Sequence, residues 1–489
     1  MLFFHAGKDI IIRGAKMMPT KAIILAAIVV LIIGGAFGYA MEDEGCTIGL
    51  ANEYVTMDGR PLLWKIRDAG EALQQLFYSP GSPYDYVGVR NAGGTVAMGF
   101  NEAGIVTGNS YVSGYGPNQN LLMQHYILRN YANLSQIRNY FDAADKPYST
   151  GGRGCFPFID RDGEAVMFEL NGPDWWLEYD TRNSNREGQG LLDFVVRANE
   201  FHIQSDGTDD TDITGGRYES GAYNVSGLVD ENNLSFRTII QGNDGPGSGY
   251  EFFRYGPGRP LHRMSRITTR SAMVVQGVFP HEDPALTTGW FILGQTNFGI
   301  AVPVWSTVSD IPESLATGDM YARALSLYGK DDVESTQASI FPAEAHLFNM
   351  VENVLLPHWR SEGPCVEEMT RVQDRMAQDA YSLLYCLDFY RSDNMPPQIS
   401  FEVFLSDMTA DFSLSANDTD GFISDISWDF GDSHTSTEES PRHTYAEAGT
   451  YLVSCTVTDN EGVSTTYWQY CEAQLIPTSV VAPAWTIYR

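Results

Sequence analysis

The chain has 489 residues, a formal net charge of −31 at pH 7 and six cysteines. This acidic surplus excludes nucleic acids and anionic membrane surfaces as favoured partners, because both are negatively charged and would repel it. The length predicts more than one domain, and so few cysteines over this length exclude a disulfide scaffold.

An uncharged apolar segment at residues 22–41 is the first feature along the chain. It contains a small-residue pattern of the kind that signal peptidase reads, and it is long enough to span a bilayer. We therefore expect residues 1–40 to be a signal peptide or an anchor that is membrane-associated before processing, and residues 41–45 to be a short propeptide. The rest of the chain is then secreted or held at the cell surface. Lipidation of Cys46 is a weaker alternative, since an acidic residue stands three positions before it, where lipoprotein signals carry an apolar one.

Cys46 directly follows the predicted propeptide. If the Gly45-Cys46 bond is cleaved, this residue carries both a thiol and a free α-amine. An α-amine has a pKa near ~8, against ~10.4 for lysine, so it can act as a base close to neutral pH. Activation of a nucleophile by an N-terminal amine is an established route to amide chemistry.

A predicted hairpin follows this cysteine. Residues 47–51 and 62–66 alternate as two strands around a turn signal at 57–60. The hairpin would bring Lys65, Arg67 and Asp68 towards Cys46, where an acceptor can orient the amine and a cation favours a thiolate. From these residues alone, a solvated charge cluster on a surface hairpin is the better interpretation.

Five further motifs follow in order. They are Asn-Glu-x-Gly at 101–104, a helix pair within 126–141, a strand–turn–strand with Asp-x-x-Gly within 156–165, Phe-Val-Val-Arg-Ala-Asn-Glu-Phe at 194–201, and Ser-Arg at 265–266. With the hairpin, these motifs resemble the N-terminal nucleophile (Ntn) hydrolases over residues 46–306. The most similar groups are the choloylglycine hydrolases, the penicillin V acylases and the acyl-CoA:6-aminopenicillanate acyltransferase-like proteins (peptidase C45-like).

The resemblance implies an α+β fold with four αββα layers, in which two antiparallel sheets pack together between helices. It implies that Cys46 is the nucleophile and that its amine is the base. Asp68 would orient the amine, Asn199 would donate an N–H to the tetrahedral oxyanion, and Arg266 would hold Asp68 and the thiolate in a polar cluster. No cofactor and no metal are implied.

The chain departs from the family pattern at two positions. Choloylglycine hydrolases carry arginine where Lys65 stands, so that role falls to Lys65 or to Arg67. The second oxyanion asparagine is expected at Asn109, although its spacing differs from that of the bile-salt enzymes.

Two other interpretations concern residues outside this pattern. Cys155 with His125 or His202 could form a cysteine protease site, although a cysteine inside a core strand is more often a packing residue. The acidic loop at 206–212 could hold a cation, although a solvated loop is the better interpretation.

The second half of the chain contains a helical region and a strand-rich region. Residues 321–392 are rich in helix patterns and are expected to complete the catalytic body of 46–320, with a linker at 393–397. From 398 to 476 the chain resembles a PKD domain, a β-sandwich of exported proteins, on its Trp-Asp-Phe-Gly-Asp, Pro-Arg-His-Thr-Tyr and Val-Thr-Asp motifs. The resemblance implies a spacer or an adhesion module that contacts a cell-surface protein or a polysaccharide; residues 477–489 are a tail.

Neither obvious pair of cysteines is expected to form a disulfide. Cys365 and Cys386 flank a predicted helix of 21 residues, which spans about 31 Å against the ~7 Å that a disulfide allows. The predicted hairpin places Cys455 near Thr466 and not near Cys471. A turn at 417–421 could suggest calcium, but Ala416 stands where a calcium loop needs an acidic ligand, so we expect a tight turn.

The expected reaction is hydrolysis, or acyl transfer, at a linear amide of a small molecule through a thioester on Cys46. Aromatic residues at Tyr111, Tyr115, Trp175 and Trp176 are compatible with an acyl or aryl group. The alternative is a non-catalytic surface or adhesion protein built on the same scaffold.

Overall fold

The structure is a computed structural model that describes residues 45–70, 72–112, 119–143, 145–148, 153–171, 176–182, 193–198, 217–242, 253–254, 265, 268–328, 333–387 and 394–475. The chain divides into two units, residues 1–44 and 45–489, and the description concerns the second. The predicted signal peptide or anchor therefore lies outside the described residues, as does all but the last residue of the predicted propeptide. No helix within the described ranges has the length and apolar character needed to cross a membrane.

The first body contains two antiparallel sheets. Its strands are β1 (Cys46–Ala51), β2 (Leu62–Asp68), β3 (Gln74–Ser79), β4 (Tyr86–Asn91), β5 (Met98–Asn101), β6 (Val106–Gly108), β7 (Ser110–Tyr111), β8 (Arg153–Ile159), β9 (Ala165–Asn171), β10 (Trp176–Asp180), β11 (Phe194–Arg197), β12 (Thr269–Gln276), β13 (Thr288–Leu293) and β14 (Val302–Val304). The first sheet has the order β11-β1-β2-β12-β13-β14. The second has the order β10-β9-β8-β6-β5-β4-β3, with β7 beside β8.

The helices of the chain pack outside these sheets and between the sheets and the C-terminal strands. They are α1 (Asn120–Asn130), α2 (Leu134–Asp142), α3 (Arg217–Asp230), α4 (Phe236–Gln241), α5 (Glu313–Ala316), α6 (Asp319–Tyr328), α7 (Val333–Met350), α8 (Leu356–Glu362) and α9 (Val366–Cys386), with a π-helical turn at Val351–Leu355 between α7 and α8 and a 3-10 turn at Pro284–Leu286.

The side chains of β2 point alternately to the two faces of the first sheet, and each face packs against a different layer. Leu63 faces a core shared with Val87 and Phe100 of the second sheet, whereas Trp64 and Ile66 face a separate core shared with α3, α4 and α7. Successive side chains of a strand point to opposite faces, and every residue of β2 is buried, so both of its faces lie within the body.

The second sheet is covered in the same way on its outer face. Phe156 and Phe168 pack there against residues of α1 and α2. The order from one side to the other is therefore helix, first sheet, second sheet, helix. The predicted four-layer αββα arrangement and the helix pair near 126–141 are both confirmed. The sequence analysis missed α3 and α4.

The last seven strands form a β-sandwich. They are β15 (Gln398–Ser406), β16 (Thr409–Asn417), β17 (Ile423–Asp429), β18 (Thr435–Ser436), β19 (Arg442–Thr444), β20 (Gly449–Asp459) and β21 (Ser464–Ala473). One sheet has the order β15-β16-β19 and the other β18-β17-β20-β21. Trp428 and Phe412 lie in the core between them. The limits proposed for the domains at 320, 392 and 397 stay predictions.

The cysteines of each obvious pair are kept apart as expected, but the register at Cys455 differs from the prediction by one residue. Helix α9 runs from Val366 to Cys386 and Cys365 directly precedes it, so these two thiols lie at opposite ends of the helix. Cys455 pairs in register with Tyr467, one residue beyond the predicted Thr466, because the turn after β20 contains one residue more than expected. The described structure has all six cysteines as thiols.

Candidate active site

The candidate site begins at the first residue of β1. Cys46 pairs with Arg67 across the β1–β2 ladder, and Ile48 pairs with Lys65. Residues directly opposite on antiparallel strands point to the same face, so the guanidinium and the thiol share the face of the first sheet that looks towards the second. Cys46 is 6% exposed, which leaves it within the body but at the end of its strand.

The carbonyl before the cysteine is held by the hairpin. The main-chain N–H of Asp68 donates a hydrogen bond of 2.9 Å to the carbonyl oxygen of Gly45. The carboxylate of Asp68 accepts a hydrogen bond of 2.6 Å from the hydroxyl of Thr269 on β12. Asp68 is thus fixed at its backbone beside the predicted cleavage point and at its side chain by a strand some two hundred residues later.

Lys65 reaches from the first sheet to the second. Its Nζ is buried and donates to the carbonyl oxygen of Ala97 at 2.9 Å and to Oδ1 of Asn109 at 3.0 Å. Gly108 permits this approach, because a Cβ there would lie 3.1 Å from the Lys65 Cδ. Since the Asn109 oxygen accepts from the ammonium, the NH₂ group of Asn109 is directed away from Lys65 and can act as a donor.

Arg67 is held by a different set of groups. Its Nη1 donates to Oδ1 of Asn91 at 2.8 Å and to the side-chain oxygen of Gln74. Arg67 therefore lies opposite the thiol, whereas Lys65 contacts Asn109, and which of the two takes the predicted role stays a prediction. Gln74 and Asn91 were missed by the sequence analysis, because single amides in strands form no motif.

A buried ion pair joins the two sheets next to this hairpin. Arg197 on β11 donates from Nε to Oε1 of Glu169 on β9 at 2.6 Å, and its guanidinium lies 4.4 Å from the ring centre of Tyr179. Burial opposes the charge of Arg197, but the carboxylate of Glu169 outweighs it, so the pKa of this guanidinium lies above its ordinary value. The pair stabilises the strand that leads to Ala198.

Two predicted site residues, Asn199 and Arg266, lie outside the described residues, so their roles stay predictions. Their neighbours are anchored in the core. The Ser110 hydroxyl donates to the carbonyl oxygen of Ala198, and the Ser265 hydroxyl lies 2.7 Å from that of Thr296.

Within the described residues, Cys155 and His125 do not come together to form the alternative cysteine protease site. Cys155 faces the core between the two sheets. His125 lies on α1, on the other face of the second sheet, with its Nδ1 2.7 Å from the hydroxyl of Tyr86. His202, the other candidate base, lies outside the described residues. Cys155 is fully buried, which agrees with a packing role.

Two of the four aromatic residues suggested for substrate contact, Tyr111 and Trp176, lie within the described residues. Trp176 packs against Phe141 and Phe168 under the outer helices, on the side of the second sheet away from Cys46, so its suggested substrate role is wrong. Tyr111 ends β7 and is partly exposed. Tyr115 and Trp175 lie outside the described residues, and so does the acidic loop at 206–212.

The Asn-Glu-x-Gly and Asp-x-x-Gly segments serve the fold. The Asn101 amide donates to the carbonyl oxygens of Leu128 and Tyr131 at the end of α1. Asp160 accepts from the N–H of Glu164 within its turn and from that of Leu134 at the start of α2. Both motifs therefore attach the outer helix pair to the second sheet.

Two groups of described side chains could bind a metal ion, and both lie among β15–β21. The first is Asp418, Asp459 and Glu461, and the second is Asp432, His434 and His443. In the first group, Asp459 already accepts from the N–H groups of Glu461 and Val463. These hydrogen bonds are those of a tight turn.

Comparison with known proteins identifies the C-terminal region. A model of the PKD domain family matches residues 394–471, so the predicted PKD domain is confirmed. The pre-pro-metalloprotease PrtV of Vibrio cholerae serotype O1 is 38% identical over 78 residues, which are 16% of this chain and 8% of that protease. The chain therefore corresponds to a small part of this relative.

The first body is similar to solved structures of two acylases. Penicillin V acylase from Agrobacterium tumefaciens is 13% identical, with a TM-score of 0.31 over 54% of this chain and 86% of that one. A variant of conjugated bile acid hydrolase from Clostridium perfringens is 13% identical, with a TM-score of 0.33 over 53% of this chain and 92% of that one. Both are Ntn hydrolases, the group that the sequence motifs resemble.

Proposed function

We propose that the chain is an exported cysteine hydrolase that activates itself by cleavage at Gly45-Cys46 and then acts on a linear amide. The observation that carries this proposal is the position of the Gly45 carbonyl. It precedes a buried cysteine at the start of β1 and accepts a hydrogen bond from the N–H of Asp68. A nucleophile, its target carbonyl and a donor to that carbonyl are therefore adjacent.

Self-cleavage would begin at this carbonyl. The Cys46 sulfur attacks the Gly45 carbonyl carbon, and the negative charge that develops on the oxygen is stabilised by the Asp68 N–H. The C–N bond then breaks, the former thiol proton goes to the departing nitrogen, and the propeptide is left as a thioester on the sulfur. Water releases it by adding its hydroxyl to the acyl carbon and its proton to the sulfur.

The mature site would use the same residues on an external amide. The new α-amine of Cys46 takes the thiol proton, the sulfur attacks the substrate carbonyl, and the leaving amine receives the proton. Asp68, positioned by Thr269, orients the α-amine, and Arg67 places a positive charge on the face of the thiol. Water then resolves the thioester in hydrolysis, and a second amine resolves it in acyl transfer.

The oxyanion of that reaction requires donors outside the β1–β2 hairpin. Asn109 is oriented for this by Lys65, and Asn199 is the other donor proposed from the sequence. A donor of this kind contributes about 3–4 kcal/mol to the transition state. Arg266 is proposed to hold Asp68 and the thiolate in a polar cluster. No step in this scheme needs a metal or a cofactor.

The PKD domain also bears on where the mature enzyme is located. We place the mature enzyme outside the cytoplasm, secreted or at the cell surface, with the domain contacting a surface protein or a polysaccharide. The support for this is the N-terminal apolar segment, the net charge of −31 and the domain match at 394–471.

The test is the N-terminal sequence and intact mass of the exported protein, compared with Cys46→Ala. We expect the wild-type chain to start at Cys46 and the variant to start near Met41. Cys365→Ala is the matched control, because Cys365 is an exposed thiol away from the hairpin, and it should be cleaved like the wild type.

Activity is then measured as amine release from a panel of N-acyl amino acids, penicillins and bile-salt conjugates. Cys46→Ala should release none, and Cys365→Ala should match the wild type. A wild-type chain that starts at Met41 or earlier would leave the Cys46 amine in a peptide bond and overturn the proposal. Retention of the biological effect by Cys46→Ala would favour the non-catalytic surface protein.

A further inference from the structure

Two histidines of the PKD domain share one carboxylate. Nε2 of His443 lies 2.7 Å from Oδ2 of Asp432, and Nδ1 of His434 lies 3.2 Å from Oδ1 of the same residue. Each imidazole thus faces a different oxygen. One ligand atom from each of the three side chains lies within 4.8 Å of the other two.

A tight turn places Asp432 and His434 on the same side. The N–H of Phe430 donates to the carbonyl oxygen of His434 at 3.0 Å, and the N–H of His434 donates to Oδ1 of Asp432 at 3.1 Å. Ser433, which replaces the usual glycine of the domain motif, has φ of 72°, a region that residues other than glycine seldom adopt. The turn therefore orients two of the three side chains before any ligand arrives.

His443 is oriented by the core of the sandwich. Its ring stacks on Phe430 with centroids 4.3 Å apart and meets Tyr445 edge-on at 4.7 Å. The side chains of His443 and Asp432 are 12% and 14% exposed, whereas that of His434 is 71% exposed. Two ligands are thus nearly fixed and the third is open to solvent, which provides an entry path.

The carboxylate of Asp432 lies between the two imidazoles, 2.7 Å from Nε2 of His443, and it accepts a hydrogen bond from the N–H of His434. Two imidazoles and a carboxylate are ligands that zinc accepts in proteins.

We propose that Asp432, His434 and His443 bind a zinc ion. Zinc bonds to nitrogen and oxygen of about 2.0–2.2 Å in a tetrahedral site separate neighbouring ligand atoms by about 3.3 Å. The two imidazole nitrogens face different oxygens of Asp432, and one ligand atom from each side chain lies within 4.8 Å of the other two. Their separations therefore need to change by at most about 1.5 Å to reach this spacing. Each imidazole would ligate through the nitrogen that now faces the carboxylate. The proton on that nitrogen is released to solvent or moves to the other ring nitrogen when zinc binds, and water occupies the fourth position.

The ion would connect the two sheets of the sandwich. Asp432 and His434 follow β17 in the four-stranded sheet, and His443 lies on β19 in the three-stranded sheet. A ligand that binds only the folded state stabilises it, so zinc should raise the unfolding temperature of the domain. This role is independent of the proposed hydrolase activity.

The experiment is isothermal titration of the full chain with zinc chloride, together with thermal unfolding with and without zinc. His434→Gln is the test variant, because the exposed side chain can change without disturbing the core. His281→Gln is the matched control, since His281 is exposed and lies outside the group. Zinc sites elsewhere on the chain are common to all three proteins and form a constant background.

We expect His434→Gln to raise the Kd of the tightest site at least about tenfold, since even second-shell changes at metal sites cost 10- to 100-fold. Zinc should raise the unfolding temperature of the wild type and of His281→Gln but not that of His434→Gln. Asp432→Asn, which removes the charged ligand, should behave like His434→Gln. Equal binding by the wild type and His434→Gln, equal weakening in both histidine variants, or no zinc binding by the wild type would each overturn the proposal.

Discussion

A buried ion pair allows a sharp prediction about the helical region. Glu344 on α7 is fully buried, and its carboxylate pairs with the equally buried guanidinium of Arg254. The same carboxylate accepts from the N–H of Ala301 at 2.7 Å and from the Gln241 amide at 2.9 Å. One carboxylate of the helical region therefore accepts hydrogen bonds from three groups of the first body.

Glu344→Gln removes the charge and nearly preserves the shape. Arg254 would then keep only neutral acceptors, which are the carbonyl oxygens of Thr296 and Gly299 and the amide oxygen of the substituted side chain. Leaving a buried charge without its counter-ion costs about 3–5 kcal/mol. The free energy of unfolding of the first body should fall by that amount.

The matched control is Glu352→Gln in the following π-helical turn. Glu352 also pairs with an arginine, Arg237, but the two side chains are 30% and 32% exposed. Water screens such a pair, so its loss should cost only about 0–1 kcal/mol.

The measurement is urea unfolding of both variants and the wild type, followed by near-ultraviolet circular dichroism. A loss below about 1 kcal/mol for Glu344→Gln, or equal losses for the two variants, would refute the reasoning. It would mean that α7 does not depend on this pair for its attachment to the sheets.

Two further predictions concern single side chains. Thr269→Val removes the hydrogen bond to Asp68. Because a bond to a charged group contributes about 1.5–3 kcal/mol, kcat and the self-cleavage rate should fall roughly ten- to a hundredfold, and the unfolding temperature should fall as well because the same bond stabilises the folded state, whereas KM should stay nearly unchanged. Thr269→Ser should be close to the wild type, and full activity of the valine variant would contradict the role. Burial raises the pKa of Asp379 on α9 to about 6. Because the folded state holds this proton more tightly than the unfolded state, the wild type should lose about 2 kcal/mol relative to Asp379→Asn as pH rises from 4 to 6 and less than about 1 kcal/mol beyond. Unfolding curves of the two proteins that stay parallel over this range would show that the carboxylate is not desolvated.

The fold was predictable where the pattern is local. The hairpin of β1 and β2 follows from two short apolar runs around a turn signal, because its partners are neighbours in the chain. Helix α9 follows from apolar residues at helical spacing over 21 positions. The PKD domain follows from motifs that occupy consecutive strands.

Helix α3 shows where local reasoning failed. It contains Gly221 and Gly227, and glycine lowers helix propensity by about 1 kcal/mol per residue. The helix forms nevertheless, and Val225 and Leu228 are buried in the core outside the first sheet. Tertiary packing therefore outweighs the propensity of this segment.

The sequence by itself determined the candidate nucleophile and the hairpin that carries Lys65, Arg67 and Asp68 back to it, because each depends on spacing along the chain. The αββα class was implied by the resemblance of the motifs to the Ntn hydrolases. Only the tertiary structure decided which groups surround them. Thr269 meets Asp68 across 201 positions of sequence, and Asn109 meets Lys65 across 44. A single threonine or asparagine has no pattern of its own, and it acquires a role only when strands distant in the chain become neighbours in the sheets.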